Sequence, residues 1–335
     1  MNVTVRWGLI GPGRIAKRVA ADFGQVTNGQ LRAVASRSKE RAEEFAAEHA
    51  GRSGHEVRAY EGYAALLADP EIDAVYIATP HSDHAAQAVA AIEAGKAVLL
   101  EKSFTATLAG AQAVTEAARR HGIFVMEAMW TRFQPAVRRA RELIGQGAIG
   151  QVRGVSADLG VVRAGFDAGD RRFALELGGG ALLDLGVYVV SFAQHFLGNP
   201  DWVHANGSLF AETQADAESA LLLGYDDGRS ATVQVSFRTA LPGNARIYGT
   251  HGWIDIPPRF QHPTALTLHQ EGAEPVTEEL PPSGAGYAEE FIEVGQCLEA
   301  GSLESQIMPL ADSLAVQEVL QQAADQLGVG LFDRW

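Results

Sequence analysis

The sequence predicts an α/β protein in two parts. A doubly wound parallel sheet is expected over residues 1–127, and an α+β domain with a large, mostly antiparallel open sheet over residues 128–335. Three observations carry this. Over the first 126 residues, short apolar runs alternate with longer amphipathic stretches. Those runs are apolar throughout, as strands covered on both faces must be. Near Ala128 the rhythm changes, and from about residue 203 to residue 280 strand follows strand. With 335 residues and 47% hydrophobic content, the chain is long and apolar enough for two cores.

Taken in order, residues 3–10 (VTVRWGLI) read as a buried strand and 13–23 as the helix after it. A second strand is expected at 31–35, a helix at 40–49, a weak third strand at 57–60 and a fourth at 74–78. Residues 82–94 have helical spacing, with Ser82 at the N-cap, where its hydroxyl could accept from an orphan backbone N–H. A fifth strand at 97–100, a helix at 108–121 closed by Gly122, and a sixth strand at 123–126 complete the repeat.

The second part begins with a helix at 134–144 and a long strand at 151–162. A Gly-rich break precedes a helix at 181–196. Further on, Ala231, Val233, Val235 and Phe237 alternate with Ser230, Thr232, Gln234 and Ser236. That period of two predicts an antiparallel sheet with two unlike faces. Helices at 287–298 and 309–326 end the chain, with no solenoid repeat and no low-complexity tract.

Lys plus Arg is 27 against 41 for Asp plus Glu, a net charge of −14. Such a surface does not draw nucleic acid or anionic lipid, so neither is an expected partner, although a local basic pocket remains allowed. No apolar run reaches the roughly 18 residues that span a bilayer, and the first residues lack a signal peptide's basic and apolar regions. Cys297 is the one cysteine, which suits a cytoplasmic location and excludes zinc sites built from several thiolates. The Asn206-Gly207-Ser208 sequon should be silent there.

Gly11-Pro12-Gly13-Arg14-Ile15-Ala16 is a G-x-G-x-x-A string after an apolar strand and at the start of a helix. The first Gly permits a tight turn, the second admits a pyrophosphate, and Ala16 lets helix and strand pack closely. In this setting the string predicts a dinucleotide-binding Rossmann unit. An NAD-preferring site would carry Asp or Glu at the end of the second strand. Ser36-Arg37-Ser38 stands there instead, with Arg41 one helical turn past Arg37. A guanidinium and hydroxyls can bind the 2′-phosphate that a carboxylate would repel, so NADP is expected over NAD. The bland alternative is a solvated arginine at the start of a surface helix.

Two further strings carry a resemblance. Ala78-Thr79-Pro80-His81-Ser82-Asp83-His84 follows the fourth strand, and Gly95-Lys96-Ala97-Val98-Leu99-Leu100-Glu101-Lys102 contains the fifth. Together they resemble the T-P-x-x-x-H … G-K-x-V-x-x-E-K pattern of the Gfo/Idh/MocA oxidoreductases, the glucose–fructose oxidoreductase and inositol dehydrogenase family. Glu127-Ala128-Met129-Trp130-Thr131-Arg132-Phe133 is similar to it too, as is Gly178-Gly179-Gly180-Ala181-Leu182-Leu183-Asp184-Leu185-Gly186-Val187-Tyr188. The likeness is strongest to the branch holding dimeric dihydrodiol dehydrogenase and NADP-linked D-xylose dehydrogenase, and covers essentially the whole chain. Many members read E-K-P where this chain has Glu101-Lys102-Ser103, and many sugar-oxidising members carry His where it has Tyr188, whereas that branch is similar to this chain in carrying tyrosine.

The resemblance implies roles. Lys102, at the carboxyl end of the sheet, would hydrogen-bond a substrate oxygen beside nicotinamide. Asp184 and Tyr188 are spaced i, i+4, on one helix face. Tyr188 would take the substrate proton, its phenol brought down from about 10 by the adjacent ammonium. Asp184 would orient both. Gly11, Gly13, Arg14, Ile15, Ser36, Arg37 and Arg41 are the expected contacts to the phosphates. Thr79, Pro80, His81, His84, Glu101 and Lys102 are expected nearer the nicotinamide, with no metal on the two histidines because no acidic or thiolate string accompanies them. Arg171 would reach cofactor or substrate, with Arg172 leaving its register open, and Trp130, Arg132 and Phe133 would form the pocket wall. Without the resemblance, Lys102 reads as a strand-end surface lysine, and Asp184 and Tyr188 as a helix-end acid and a core tyrosine.

The implied activity is NAD(P)-dependent hydride transfer on a sugar, cyclitol or vicinal-diol carbon, a small polyhydroxylated substrate. The alternatives are a non-catalytic NADP-binding regulator, or an oxidoreductase with tightly held cofactor. A homodimer or dimer of dimers is expected, since an antiparallel sheet must cover or solvate its second face, and members of this family cover it with a partner subunit.

Overall fold

The computed structural model describes residues 4–53, 55–163 and 165–335. The apolar runs of the first part pair as one parallel sheet of β1 (Val5–Ile10), β2 (Gly29–Ser36), β3 (Arg58–Glu61), β4 (Ala74–Ile77), β5 (Ala97–Glu101) and β6 (Val125–Ala128). Val3, where the first strand is predicted to begin, lies outside the described residues. The strand order is β3-β2-β1-β4-β5-β6. Winding therefore reverses between β1 and β4, the place where doubly wound sheets open a crevice for ligands.

The helices are α1 (Arg14–Asp22), α2 (Lys39–Ser53), α3 (Tyr63–Leu67), α4 (His84–Glu93) and α5 (Leu108–His121). Helix α3 is absent from the sequence reading, because five residues are too few to show a period. Gly122 closes α5 with φ 64°. Ile123 N–H still donates to Ala118 O, which holds 123 in that turn and delays β6 to Val125. The N-cap assignment of Ser82 is corrected: it sits in a short 3₁₀ turn ahead of α4, and its hydroxyl donates to Glu176 O at 2.9 Å.

The second sheet comprises β7 (Val152–Gly160), β8 (Trp202–Leu209), β9 (Asp216–Gly224), β10 (Ser230–Ser236), β11 (Ala245–Gly249), β12 (Gly252–Ile256), β13 (Ala265–Gln270) and β14 (Val276–Glu279). Their order is β14-β13-β12-β11-β7-β10-β9-β8. Every pairing is antiparallel except β7 with β10. The alternation along β10 is real up to Ser236, which is buried and whose hydroxyl donates to Glu218.

After α6 (Pro135–Gly145), helix α7 (Val187–Leu197) packs on β7 and β10. Helix α8 (Ala288–Glu299) returns to the first sheet, where Phe291 lies edge-on to Trp7 with ring centroids 4.8 Å apart. Helix α9 (Leu310–Leu327) lies against β8 and α7. The stretch Leu175–Leu197 is long and apolar enough by composition to cross a membrane, contrary to the sequence expectation, yet 78% of its most apolar window is buried inside the protein. It supplies the core of the second domain.

Candidate active site

At the carboxyl end of the parallel sheet lies a cavity of about 630 Å³ shared by the two domains. Gly11 turns the chain into it with φ 88°, and a Cβ there would meet Thr79 Cγ2 at 2.8 Å. A Cβ on Gly13 would meet nothing nearer than Gly11 O at 4.0 Å, so its missing side chain leaves the approach to α1 open. Gly13 caps α1 without a side-chain hydrogen bond, and Arg14 and Ile15 line the same end. A helix start with orphan N–H groups, an open approach and an arginine fits a pyrophosphate.

Ser36, Arg37, Ser38 and Arg41 also line the cavity; among the described residues the lining at this end holds no carboxylate, although the Ser38 hydroxyl donates to Glu40 Oε2 at 2.7 Å. The donors fit a 2′-phosphate on the adenosine ribose.

The other end is built by β5 and the residues before α7. Lys102 Nζ donates to the Asp184 carbonyl at 2.7 Å and to Asp184 Oδ1 at 3.1 Å. Arg163 reaches Asp184 Oδ2 at 3.4 Å. The Tyr188 ring lies with its centroid 4.8 Å from Lys102 Nζ. Between these groups the helix predicted at 181–196 starts as a π-helical turn, Leu182–Gly186. Two of that turn's carbonyls are taken by the first domain: Leu183 O accepts from Ser103 Oγ at 2.9 Å, and Asp184 O from Lys102. Helical carbonyls diverted in this way are where π turns form, commonly at functional sites.

The electrostatics revise one expectation. Burial works against a charge on Asp184, but the Lys102 ammonium and the Arg171 guanidinium outweigh it and hold the acid well below the usual carboxylate range. Tyr188 moves the other way. Burial first, then the carboxylates of Glu101 and Asp184, push the phenol well above its ordinary value. The lowering expected from Lys102 does not prevail, because two of the ammonium's protons go to Asp184 and the charge lies against the ring. Tyr188 is therefore a protonated phenol that holds its proton more tightly than a free one.

Thr79, Pro80, His81, Glu101 and Trp130 line the cavity as well. His81 Nδ1 faces Gly178 O at 2.8 Å, and burial lowers its pKa to about 3, leaving the ring neutral. Glu101 is buried, accepting from Tyr76 Oη at 2.6 Å and from Lys102 N–H at 3.1 Å. His84 lies behind the wall, its two nitrogens facing Ser103 O and Thr79 O. It ties those two loops together rather than meeting a ligand.

Arg132 and Phe133 are also placed elsewhere. Both are buried, and Arg132 joins Ser191, Gln194 and Asp312 inside the second domain. The 3₁₀ turn Trp130–Phe133 sends only its first side chain to the cavity, where Trp130 stacks on Tyr287 with centroids 4.6 Å apart. The arginine register resolves: Arg172 is held by Asp170, while Arg171 lines the cavity. Arg163, Arg259, Gln261 and Glu290 line it too. They stand in no motif, and only the fold brings them there.

A glycine turn for a dinucleotide and a lysine–aspartate–tyrosine cluster at opposite ends of one cavity define a nicotinamide-dependent oxidoreductase. Residues 5–129 match the oxidoreductase family with an NAD-binding Rossmann fold, and residues 137–255 match the GFO/IDH/MocA C-terminal domain. The chain belongs to the GFO/IDH/MocA oxidoreductase family. It is 36% identical to trans-1,2-dihydrobenzene-1,2-diol dehydrogenase of Danio rerio over 98% of both chains. The enzyme of the same name from Xenopus tropicalis is 34% identical, over 98% of this chain and 99% of that one. Among solved structures, the 3-ketoreductase KijD10 of Actinomadura kijaniata, in complex with NADP and TDP-benzene, is 26% identical with a TM-score of 0.82. That match covers 96% of this chain and 98% of KijD10.

Proposed function

We propose that this oxidoreductase prefers NADP(H) and moves a hydride between nicotinamide and a CH–OH or C=O carbon of a sugar, cyclitol or vicinal diol. The observation that carries the reading is that Lys102, Asp184 and Tyr188 converge in the cavity that Gly13, Arg37 and Arg41 enter from the far end. The names of the diol dehydrogenases and of the 3-ketoreductase support a hydroxyl-bearing carbon as the reacting centre. NADPH, when bound, supplies the hydride. Tyr188 gives its proton to the oxygen of the reduced carbonyl, and takes it back in oxidation. Lys102 has three N–H donors, of which two hold Asp184. The third is available to the same substrate oxygen. A spectrophotometric screen of aldoses, inositols, diols and dicarbonyls with NADPH or NADP⁺ tests the reading, and no turnover of any of them would refute it.

NADP(H) should bind more tightly than NAD(H). Arg37→Ala should cost about 1.5–3 kcal/mol of NADPH affinity, the worth of a hydrogen bond to a charged group, and little for NADH. Equal wild-type affinities by fluorescence titration would contradict this.

Assembly follows from the second sheet. Its outer face exposes Leu222, Tyr248 and Trp253, and an antiparallel sheet with apolar groups on both faces needs a cover. A homodimer or dimer of dimers is expected, and a monomer mass by light scattering at micromolar concentration would be the contrary result.

A further inference from the structure

The structure assigns Asp216, on β9, as the residue that positions the catalytic turn carrying Asp184 and Tyr188, through a hydrogen bond to its leading N–H. The assignment rests on the proposed roles of those two side chains. Asp216 is fully buried, and its Oδ2 accepts from Leu182 N–H at 2.6 Å. Leu182 opens the π turn, which has no side-chain cap at its own N-cap residue, Ala181. The N–H groups at a helix start are orphans unless an acceptor comes from elsewhere. Here one comes from a neighbouring strand.

The local sequence is shaped around that carboxyl. Gly180 precedes the turn with φ 124°, and a Cβ there would run into Asp216 Oδ1. Oδ1 itself has no hydrogen-bond partner among the described residues. Burial raises this acid to about 7. The backbone N–H groups of Leu182, Asp216 and Ala181 work the other way and favour its charge, and Oδ2 can accept from Leu182 N–H in either protonation state.

The turn is thus gripped from two sides. The second domain holds the Leu182 N–H through Asp216, and the first holds the Leu183 and Asp184 carbonyls through Ser103 and Lys102. Asp184 lies two residues past Leu182 and Tyr188 six. A displacement of the turn's start would move both against Lys102, and a misplacement of 1 Å can cost about 10²-fold in rate.

Asp216→Asn keeps an acceptor oxygen and the shape of the side chain, so its kcat should stay within about threefold of wild type. Asp216→Ala should lower kcat by about 10–100-fold. NADPH affinity by fluorescence titration should change less than about twofold, because the phosphate contacts lie at the far end of the cavity. In a Tyr188→Phe background, Asp216→Ala should cost much less than it does alone, since groups that act through one another are not additive. Equal losses in both backgrounds would show a general structural role and overturn the assignment. So would an unchanged kcat in Asp216→Ala, whatever Tyr188→Phe does alone, which separates this inference from the reading it rests on. If Asp216→Ala does not fold, Gly180→Ala presses on the same carboxyl from the other side. It should show the same selective loss of kcat, and an unchanged kcat there would be equally decisive against the proposal.

Discussion

Tyr188→Phe is expected to lower turnover by about 10²–10⁴-fold, the usual worth of a positioned acid–base group. The substitution keeps the ring against Lys102 and removes only the proton path. NADPH affinity should hold, because the phenol is remote from Gly13 and Arg37. The direction of the Tyr188 shift sets the pH behaviour. A phenol held well above its ordinary value by burial and by Glu101 and Asp184 stays protonated across the assayable range. Carbonyl reduction, which uses the protonated form, should therefore stay level as pH rises through neutrality. Oxidation needs the deprotonated form and should climb with pH. His81, at about 3, adds no limb above pH 5. The rival assignment makes Lys102 the proton acceptor. Under it, Tyr188→Phe keeps most of its activity from about pH 6 to 10 while Lys102→Met loses it. Near-wild-type turnover in Tyr188→Phe would end the present reading.

The parts of this site that lie in contiguous strings were legible before any coordinates. Gly11 to Ala16 announce themselves because a turn and a helix start need small residues at fixed offsets. Ser36 and Arg37 follow from knowing where the second strand ends. The string from Gly178 to Tyr188 marks the turn and its acid, but spacing alone could not show a π turn there. That geometry depends on Ser103 and Lys102, some 80 residues away, taking two carbonyls.

Other features were hidden for the same reason. Arg132 sits in a motif beside Trp130, yet a 3₁₀ turn points the two in different directions. The shift of Tyr188 runs opposite to the expected direction because a nearby cation lowers a phenol only where its charge is not already spent. Asp184 spends it here, and burial then decides. Arg163 and Asp216 carry no local signature at all, since each acts on the site from a strand end that the second sheet happens to place there.

Lys102→Ala should be as severe for turnover as Tyr188→Phe, at about 10²–10⁴-fold, and should also cost stability. Lys102 and Asp184 have side chains 12% and 11% exposed, so their pair is nearly out of water. Removing one member of a buried pair typically costs about 3–5 kcal/mol, because the other charge is left uncompensated. Arg163, at 3.4 Å from Asp184, should soften that loss toward the lower figure. Lys102→Arg should not rescue turnover. A planar guanidinium can hold the Asp184 carboxylate with two donors, but it cannot also serve the Asp184 carbonyl and a substrate oxygen as a compact ammonium does. Arg should therefore restore thermal stability and leave the rate low. Lys102→Ala combined with Tyr188→Phe should be little slower than the slower single variant, as expected of groups that act on one oxygen. Melting curves beside initial rates for the four proteins test this. A Lys102→Arg variant that recovers both stability and rate would show that Lys102 works as a charge on Asp184 alone, with no donor left for the substrate.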